Sequence, residues 1–426
     1  MAQKIEAAKV GSRAIDLIKG TGNSLERARA FARTKKKEEF DQIRVNLNME
    51  GLSTSLPHVS TGSMVVDYII GGMPNSFGVP PCPGFPRGRV TQIWGAEAAG
   101  KTTLCLMAAA EVCRNGGSVL YIDWENDIVP DYAYHLGVPV TDETKFELLQ
   151  PDHLEDGIKY ALIYAASGVD LIVFDSVGAA IPRRMADRGL SDAAEQGKIG
   201  ELQLVWSQEL PNLKRIAAQT GSAIVGISQT RVDMASQHGG MKPQGGNGWK
   251  FYSSVRLELK KVDSEKTKEL NPLTHLVEEK VTGNIVKCKA VKCKMSRSQG
   301  REEIFYIRQG HGVDNIRSLI EIAIAHGMIK KGGAGWFSWA KPDGAVVKYQ
   351  GLGNLRQHLV VNKEDLALLD SLVRPLLGSG KSASQFADDG GVEGEDEGAI
   401  EEDGSESSSN ADIMSIINRP EETDEE

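Results

Sequence analysis

RVTQIWGAEAAGKTT (residues 89–103) joins a strand-like run to a helix-like one through a glycine-rich turn, and its last nine residues fit the pattern GxxxxGK[ST]. Such a turn points successive backbone N–H groups at one spot, where the positive end of the following helix dipole adds to them. The lysine can reach the β- and γ-phosphates of a nucleotide, and the next hydroxyl helps to hold Mg²⁺. The turn therefore predicts a nucleotide site formed by Gly95, Ala96, Glu97, Ala98, Ala99, Gly100, Lys101, Thr102 and Thr103.

Strand and helix patterns alternate beyond this turn. Branched apolar residues dominate the strand-like runs, and amphipathic stretches of helical period lie between them. Such alternation predicts an α/β fold with a P-loop core, a mostly parallel central sheet and helices on both faces. Ligands then bind at the carboxyl ends of the strands. The predicted strands are SVLYID (118–123), VDLIVFDS (169–176), SAIVGISQT (222–230), SSVRLELKKV (253–262) and EEIFYIRQ (302–309).

Polar residues end three of these strands. Asp175 closes LIVFD and has the position of a Walker B acid that acts on Mg²⁺ directly or through water, with a strand-ending helix cap as the alternative. Glu125 follows YID and is the candidate base that deprotonates an attacking water. Gln229 closes the strand before a long loop, where its amide can hydrogen-bond a γ-phosphate. Glu97 is either a supporting residue or simply exposed.

Composition limits the kinds of protein that this chain can be. It has 426 residues, 40% of them hydrophobic and 25% charged, which is typical of soluble globular domains. We expect a cytoplasmic protein without a membrane partner, because no apolar run approaches the ~18 residues of a membrane span and the amino terminus lacks a secretory pattern. Five cysteines without a CxxC pair indicate reduced side chains rather than disulfides or a zinc site.

Charge divides the chain into a basic body and an acidic tail. Residues 388–426 contain 16 acidic side chains and one arginine, so the preceding 387 residues carry a net charge of +6 although the whole chain carries −9. A basic body suits a polyanionic partner, and an acidic tail either competes for the same surface or merely aids solubility. The apolar run ADIMSIINRP (411–420) within the tail is either a short partner-binding motif or a chance cluster.

Local composition predicts four regions. The region at 1–55 is helical and basic, and the one at 311–378 is a small α/β domain. The region at 379–426 is poor in apolar residues and is predicted to be disordered. The core between them, 56–310, contains a Pro-rich loop at 71–88 and two long polar, Gly-rich segments at 182–199 and 231–250 that lack periodicity.

Several motifs together resemble the bacterial RecA recombinase family over about residues 56–377. They are VSTGSMVVDYIIGG, GRVTQIWGAEAAGKTTL, YIDWEN with PDYAYHLGV, QPD, VDLIVFDSVGAAIP, SQTR, GGNGWKFYSSVRLELKKV, AVKCKM and GAGWFSW, in this order. The resemblance implies a DNA-dependent ATPase that uses ATP and Mg²⁺. It would form helical filaments on single-stranded DNA, pair them with a homologous duplex and exchange strands. Single-strand-binding or mediator proteins are the accessory partners it suggests.

The resemblance also implies roles for individual residues. It makes Glu125 the catalytic glutamate, Tyr132 the adenine-stacking residue, Asp175 the Walker B acid and Gln229 the γ-phosphate sensor. Lys292 and Lys294 would reach the ATP of a neighbouring subunit. The two irregular segments would be DNA-binding loops, and further lysines would form a secondary DNA site. The implied DNA contacts are Arg183, Arg184, Arg188, Lys198, Ile199, Arg231, Gly245, Gly246, Asn247, Lys260, Lys261, Lys287 and Lys289.

Departures from the family pattern indicate a divergent form. The Pro-rich insert at 73–87 lengthens one connection, and Val129 stands where an acidic residue usually lies near adenine. Two other functions share the same core: a ring-shaped helicase or motor, and a nucleotide-gated mediator that binds DNA without strand exchange. Rings rather than open helices on DNA would favour the first, and DNA binding without exchange would favour the second.

Overall fold

The computed structural model describes residues 54–71, 74–186, 200–232, 241–270 and 275–378. The chain divides into two units, Met1–Thr54 and Ser55–Glu426, and the described strands and helices all belong to the second. The predicted helical segment at 1–55 lies almost wholly outside the described residues, as does the acidic tail at 379–426. Three of the implied DNA contacts, Arg188, Lys198 and Ile199, also lie outside them.

Strands and helices alternate through the described chain. The strands are β1 (His58–Val59), β2 (Phe85–Pro86), β3 (Val90–Gly95), β4 (Val119–Asp123), β5 (Phe146–Leu149), β6 (Leu171–Asp175), β7 (Ala223–Val232), β8 (Met241–Pro243), β9 (Val255–Leu270), β10 (Val277–Cys293), β11 (Glu302–Arg308), β12 (Gly312–Val313), β13 (Ile329–Lys331), β14 (Trp336–Ala340) and β15 (Val346–Gln350). The helices are α1 (Met64–Gly71), α2 (Lys101–Arg114), α3 (Pro130–His135), α4 (Leu154–Ala166), α5 (Arg183–Ala186), α6 (Glu201–Thr220), α7 (Asn247–Tyr252), α8 (Asn315–Ala325), α9 (Leu352–Val361) and α10 (Lys363–Val373).

One large sheet organises the described residues. Its strand order is β12-β11-β10-β9-β3-β7-β6-β4-β5, and β8 pairs with β7 beside this path. Pairing is parallel from β9 through β3, β7, β6 and β4 to β5, and antiparallel among β9, β10, β11 and β12. The predicted α/β fold with a mostly parallel central sheet is therefore confirmed. Its parallel part brings the carboxyl ends of β3, β4, β6 and β7 to one edge.

Apolar side chains cover both faces of this sheet. Successive residues of a strand point to opposite faces, and Ile224 and Val225 of β7 accordingly belong to different clusters of the core. One cluster packs α1 and α2 on the sheet and continues into β14 and the carboxyl-terminal helices. The other packs α4, α6 and α7, where Trp206 and Trp249 meet edge to face with ring centroids 5.0 Å apart. Both layers fix the helices that flank the strand ends.

The structure departs from the predicted elements in several places. Strands β5 and β10 were not predicted, and β9 continues to Leu270 rather than ending at residue 262. Beyond residue 262, β9 is held by its antiparallel partner β10, from Asp263 opposite Ile285 to Leu270 opposite Val277. This cross-strand pairing stabilises a polar stretch that has no apolar alternation. The segments predicted to be irregular also contain α5, β8 and α7, and the Pro-rich loop contains the two-residue strand β2.

No helix among the described residues combines the length and the apolarity that a membrane span requires.

A buried carboxyl at the start of α1 predicts a pH-dependent stability. Asp67 accepts hydrogen bonds from the Ser60 hydroxyl at 2.6 Å and the Thr61 N–H at 2.7 Å, yet burial raises its pKa from 3.8 to about 6. Between these values the unfolded chain loses the proton while the folded chain keeps it, so stability falls as the pH rises. Each pKa unit is worth about 1.4 kcal/mol. Asp67→Asn should therefore gain up to about 3 kcal/mol over the wild type between about pH 4 and pH 7.

Urea unfolding of both proteins across this pH range measures the difference. A difference in the free energy of unfolding between Asp67→Asn and the wild type that is the same at every pH would come from the altered hydrogen bonds alone. Such a pH-independent gap would contradict the raised pKa of Asp67.

Candidate functional site

The glycine-rich turn lies between β3 and α2, and two of its glycines are required by the geometry. A Cβ at Gly95 would lie 2.1 Å from the carbonyl oxygen of Leu259, and Gly100 has a φ of 82°. Lys101 Nζ donates to the carbonyl oxygens of Gly95 at 3.1 Å and Ala96 at 2.7 Å. Burial lowers the pKa of Lys101, opposed by the nearby carboxylates of Asp175 and Glu125. The Lys101 ammonium thus lies against the backbone of the turn in which an anion would bind.

Three side chains meet at the end of β6. Asp175 Oδ2 accepts hydrogen bonds from the Thr102 hydroxyl at 2.7 Å and the Tyr121 hydroxyl at 2.8 Å. Burial raises the pKa of Asp175 to about 6, although both hydrogen bonds lower it. The pKa of Tyr121 is raised well above its usual value by burial and then by Asp175.

These oxygens suit a magnesium ion. Neighbouring ligands of octahedral Mg²⁺ at about 2.0–2.1 Å from the metal lie about 2.9 Å from each other, close to the observed separation of the Thr102 and Asp175 oxygens. Groups of three or more His, Cys, Asp or Glu side chains suited to a metal do not occur among the described residues. Mg²⁺ fits such a sparse site because it takes most of its ligands from water and substrate phosphates.

A carboxylate and an amide face each other beside this pair. Gln229 Nε2 donates to Glu125 Oε1 at 2.9 Å, so side chains link the turn after β4 to β7, which continues past Gln229 to Val232 rather than ending there as predicted. Asp123 fixes the turn that carries Glu125, because its Oδ1 accepts the N–H groups of Glu125 and Asn126, both at 3.0 Å. Its Oδ2 also accepts from Gln150 Nε2 at 3.2 Å. The glutamate is therefore held by its backbone and its side chain alike.

A cavity of about 180 Å³ brings many of the predicted nucleotide residues together, whereas Gly95, Ala96, Ala99, Tyr132, Lys292 and Lys294 do not border it. It is bordered by the loop residues and by the carboxyl ends of β4, β6 and β7. Tyr132, the predicted base-stacking residue, lies next to the loop and shares a 2.8 Å hydrogen bond with Thr103. The described residues that border the cavity are Glu97, Ala98, Gly100, Lys101, Thr102, Thr103, Glu125, Asp175, Ile227 and Gln229.

A second, larger cavity of about 590 Å³ lies where the two predicted DNA loops begin and end. Gly200 and Gln203 border it on one side, and Arg231 with Lys242 on the other. Gly245, Gly246 and Asn247, all predicted DNA contacts, also line it. A Cβ at Gly246 would lie 2.3 Å from Cγ of Gln203, so the start of α6 packs closely against the end of the second predicted loop.

The two arginines at the start of the first predicted DNA loop lie beside acidic groups. Arg183 pairs with Asp156, and its backbone N–H donates to Glu155 at 3.0 Å. The side chain of Arg184 lies 3.9 Å from Glu201 and is largely exposed. Neither arginine borders the second cavity, and both interact with carboxylates in this structure.

The predicted lysines of β9 and β10 lie away from the nucleotide cavity. Lys260 and Lys287 are paired across the two strands, and Lys261 stands opposite Val286. Lys287 and Lys289 both approach Glu302, at 3.1 and 3.5 Å. This group forms a mixed rather than a purely basic surface.

A basic cluster forms where α6, α7, β9 and β10 meet. We define it as Lys214, Lys250, Arg256, Lys292 and Lys294. Lys292 Nζ donates to the carbonyl oxygens of Lys250 at 2.9 Å and Phe251 at 3.3 Å. Burial lowers the pKa of Lys292, and the positive charges of the other four residues lower it further. An anion from outside the subunit would relieve this repulsion.

Tyr121 and Asp123 were not singled out from the sequence, although both hold the predicted catalytic groups. Tyr121 is hidden in an apolar strand, where a tyrosine usually serves packing. Asp123 lies two residues before Glu125, and a carboxylate that ends a strand before a turn often accepts backbone N–H groups. That signal could have identified Asp123, whereas the Tyr121 contact depends on the pairing of β4 with β6.

Removing the Tyr121 hydroxyl should weaken magnesium binding at mildly acidic pH. Tyr121→Phe keeps the buried ring but deletes a hydrogen bond that lowers the pKa of Asp175. Protons should then compete better with Mg²⁺ for Asp175, and the Mg²⁺ needed for half-maximal binding of a fluorescent ATP analogue should rise by about 5–10-fold near pH 6. The difference should shrink near pH 8.

Tyr164→Phe is a matched control, because Tyr164 is partly buried and lies on α4, away from the nucleotide cavity. An equal Mg²⁺ requirement for Tyr121→Phe and the wild type at both pH values would rule out the proposed support of Asp175.

Comparison with known proteins relates the whole arrangement to one family. The model of the RecA N-terminal domain matches residues 33–314. The protein RecA of Borrelia hermsii (strain HS1 / DAH) is 31% identical over 359 residues, which cover 83% of this chain and 91% of the relative. That of Laribacter hongkongensis (strain HLHK9) is 32% identical over 339 residues, covering 79% and 86%. That of Brucella canis is 32% identical over 345 residues, covering 80% and 86%.

Proposed function

This chain belongs to the RecA family, and from that membership we propose that it is an ATP-dependent homologous recombinase. It forms helical filaments on single-stranded DNA, pairs them with a homologous duplex and exchanges strands. DNA binding stimulates its hydrolysis of ATP. The observation that carries this proposal is the nucleotide cavity, in which Lys101, Thr102, Asp175, Glu125 and Gln229 meet from four different elements.

The residues of the cavity divide the work of ATP hydrolysis. Lys101 binds the β- and γ-phosphates with charge-assisted hydrogen bonds in exchange for its two carbonyl partners. Thr102 and Asp175 would hold Mg²⁺, which would supply positive charge beside the phosphate oxygens. Glu125 orients a water molecule and takes its proton, because its half-buried carboxylate follows a turn whose backbone is fixed by Asp123. Before this step the Gln229 amide exchanges Glu125 for the γ-phosphate as its partner.

Subunit contacts make assembly depend on the nucleotide. We assign Lys292 and Lys294 to the ATP of the neighbouring protomer, because they lie in the basic cluster rather than beside their own cavity. An anionic phosphate between protomers would favour the filament by its differential affinity for the assembled state. Hydrolysis and loss of phosphate would weaken the same contact.

Single-stranded DNA binds at the second cavity in this proposal. Arg231 supplies a positive charge there, and the close packing of Gly245 and Gly246 allows backbone to approach a phosphate. Basic contacts of this kind bind a phosphate backbone without reading its sequence. A homology search requires such binding because base pairing must read the sequence. Arg183 and Arg184 join these contacts when DNA displaces their carboxylate partners.

Three measurements on one preparation test the proposal. Phosphate release with and without oligo(dT) measures DNA-dependent turnover, and electron microscopy with a non-hydrolysable ATP analogue reveals the assembly. Strand exchange between circular single strands and a linear homologous duplex measures the reaction itself. We expect stimulated turnover, open helices and joint molecules. Closed hexameric rings would instead indicate a motor, and nucleotide-gated DNA binding without joint molecules would indicate a mediator.

A further inference from the structure

Three buried polar side chains cross the centre of the sheet. Arg256 of β9 donates from Nε to Oε1 of Gln92 on β3 at 2.8 Å, and Gln92 Nε2 donates to Ser228 Oγ on β7 at 2.9 Å. They lie on the sheet face opposite α2, because Gln92 and Ser228 alternate with the Ile93 and Ile227 side chains of the α2 layer. The Arg256 guanidinium also lies over the Trp94 ring, 4.4 Å from its centroid.

The free energy of folding alone does not explain why these three polar side chains are buried in the sheet. All three residues are buried, and burial lowers the pKa of Arg256 by disfavouring its charge. Replacing a buried polar network with apolar residues of similar volume is often neutral or stabilising. A fully hydrogen-bonded network does rigidify the strands that it joins. Its position in the sheet therefore matters more than its contribution to the free energy of folding.

One end of the row adjoins the hydrolytic residues. Ser228 directly precedes Gln229, whose side chain donates to Glu125 at 2.9 Å. The Gln229 carbonyl oxygen accepts the N–H of Gln244 at 2.9 Å, beside the second cavity. A displacement of β7 at Ser228 would thus move the amide that faces Glu125 and the loop region that borders the second cavity.

The other end lies in the basic cluster. Arg256 is paired with Lys292 across β9 and β10, and its charge contributes to the lowered pKa of Lys292. An anion bound at Lys292 would therefore lie beside the positive charge of Arg256. Two buried hydrogen bonds then connect this cluster to the strand that carries Gln229.

We infer that Arg256 and Gln92 are positioning residues, which couple occupancy of the basic cluster to the position of the Gln229 amide, which must leave Glu125 for the γ-phosphate. The inference rests on the proposed function, in which an anion from the neighbouring protomer occupies that cluster. Neither residue borders the nucleotide cavity, so both act through Ser228 and β7. Their loss should reduce the rate of hydrolysis in the filament without weakening ATP binding.

Gln92→Met tests the coupling with little change in volume, because it removes both hydrogen bonds. We expect kcat for hydrolysis on oligo(dT) to fall by about 10-fold, within the range known for coupling residues, while KM and analogue binding change less than about 2-fold. Gln92→Glu should restore kcat, since its carboxylate can accept from both Arg256 and Ser228. Ser228→Ala, which breaks only one bond, should lower kcat in the same direction.

Thr91→Val is the matched control on the same strand. Thr91 is equally buried, and its hydroxyl has no hydrogen-bond partner among the residues described here. It should leave kcat unchanged. Equal losses in Thr91→Val and Gln92→Met, or a lowered melting temperature of Gln92→Met with unchanged kcat, would overturn the inference.

A double-mutant cycle with Gln229→Ala tests the route. If Gln92 acts through Gln229, Gln92→Met should lower kcat much less in the Gln229→Ala background than in the wild type. Full additivity of the two effects would contradict that route. If DNA does not stimulate ATP turnover by the wild-type protein, the proposed function itself is overturned. If the wild type shows normal stimulated turnover and Gln92→Met leaves it unchanged, only the coupling is overturned.

Discussion

Replacing Glu125 with Gln is expected to lower the turnover of ATP by about 10²–10⁴-fold, the usual contribution of a general base. The amide cannot accept the proton of the attacking water, although its size and its place beside Gln229 are kept. ATP binding should change only a few-fold, because Lys101 and Thr102 remain. Phosphate release under saturating ATP and titration with a fluorescent analogue measure the two quantities separately. Filaments of this variant should consequently persist in ATP.

Glu97→Gln provides the control for charge. Glu97 borders the same cavity but is exposed, and the described structure gives its carboxylate no role in holding the loop. Its replacement should lower turnover by less than about 3-fold. Equal losses in Glu97→Gln and Glu125→Gln would mean that negative charge in the cavity, not a base at Glu125, supports hydrolysis.

Replacing Lys101 with Ala should abolish productive ATP binding and with it DNA-dependent turnover. A charge-assisted hydrogen bond contributes about 1.5–3 kcal/mol, so the loss of contacts to two phosphates predicts at least about 10²-fold weaker binding. The nucleotide-free fold should survive, because the ammonium contacts only two loop carbonyls and burial already disfavours its charge. Calorimetric titration with ATP and a thermal unfolding curve measure both effects.

Lys145→Ala is the control for the loss of a lysine. Lys145 lies on the surface and pairs with Asp142 at 3.4 Å, outside the residues that border the nucleotide cavity. ATP affinity should stay at the wild-type level in this variant. Undiminished hydrolysis by Lys101→Ala would refute the assignment of the loop as the phosphate site.

Local sequence was enough to predict the parallel core and the groups at its edge. The turn at 95–103 has its own chemistry, and Asp175, Glu125 and Gln229 each end or follow a strand with a clear apolar pattern. Parallel strands bring their carboxyl ends together, so these side chains had to meet once the strands were correct. Lys101 and Thr102 begin α2 for the same reason, since the helix must follow the turn.

Contacts between distant strands could not be predicted in the same way. The bond between Tyr121 and Asp175 depends on the register of β4 with β6, and the row from Arg256 to Ser228 depends on three paired strands. The preference of a residue for a strand depends more on its neighbours across the sheet than on an intrinsic preference of its own backbone. The same dependence explains why β10 was missed, because its polar half gains stability only from pairing with β9.

The hydrogen bond between Gln229 and Glu125 has a consequence for how much ATP the unassembled protein would use. Under the proposed function, it engages one carboxylate oxygen of Glu125, so ATP bound to an isolated protomer would be hydrolysed slowly. Hydrolysis would then follow mainly after a DNA strand has bound and the amide has left the carboxylate. A cell could therefore keep a large reserve of this protein without a standing drain on its energy supply.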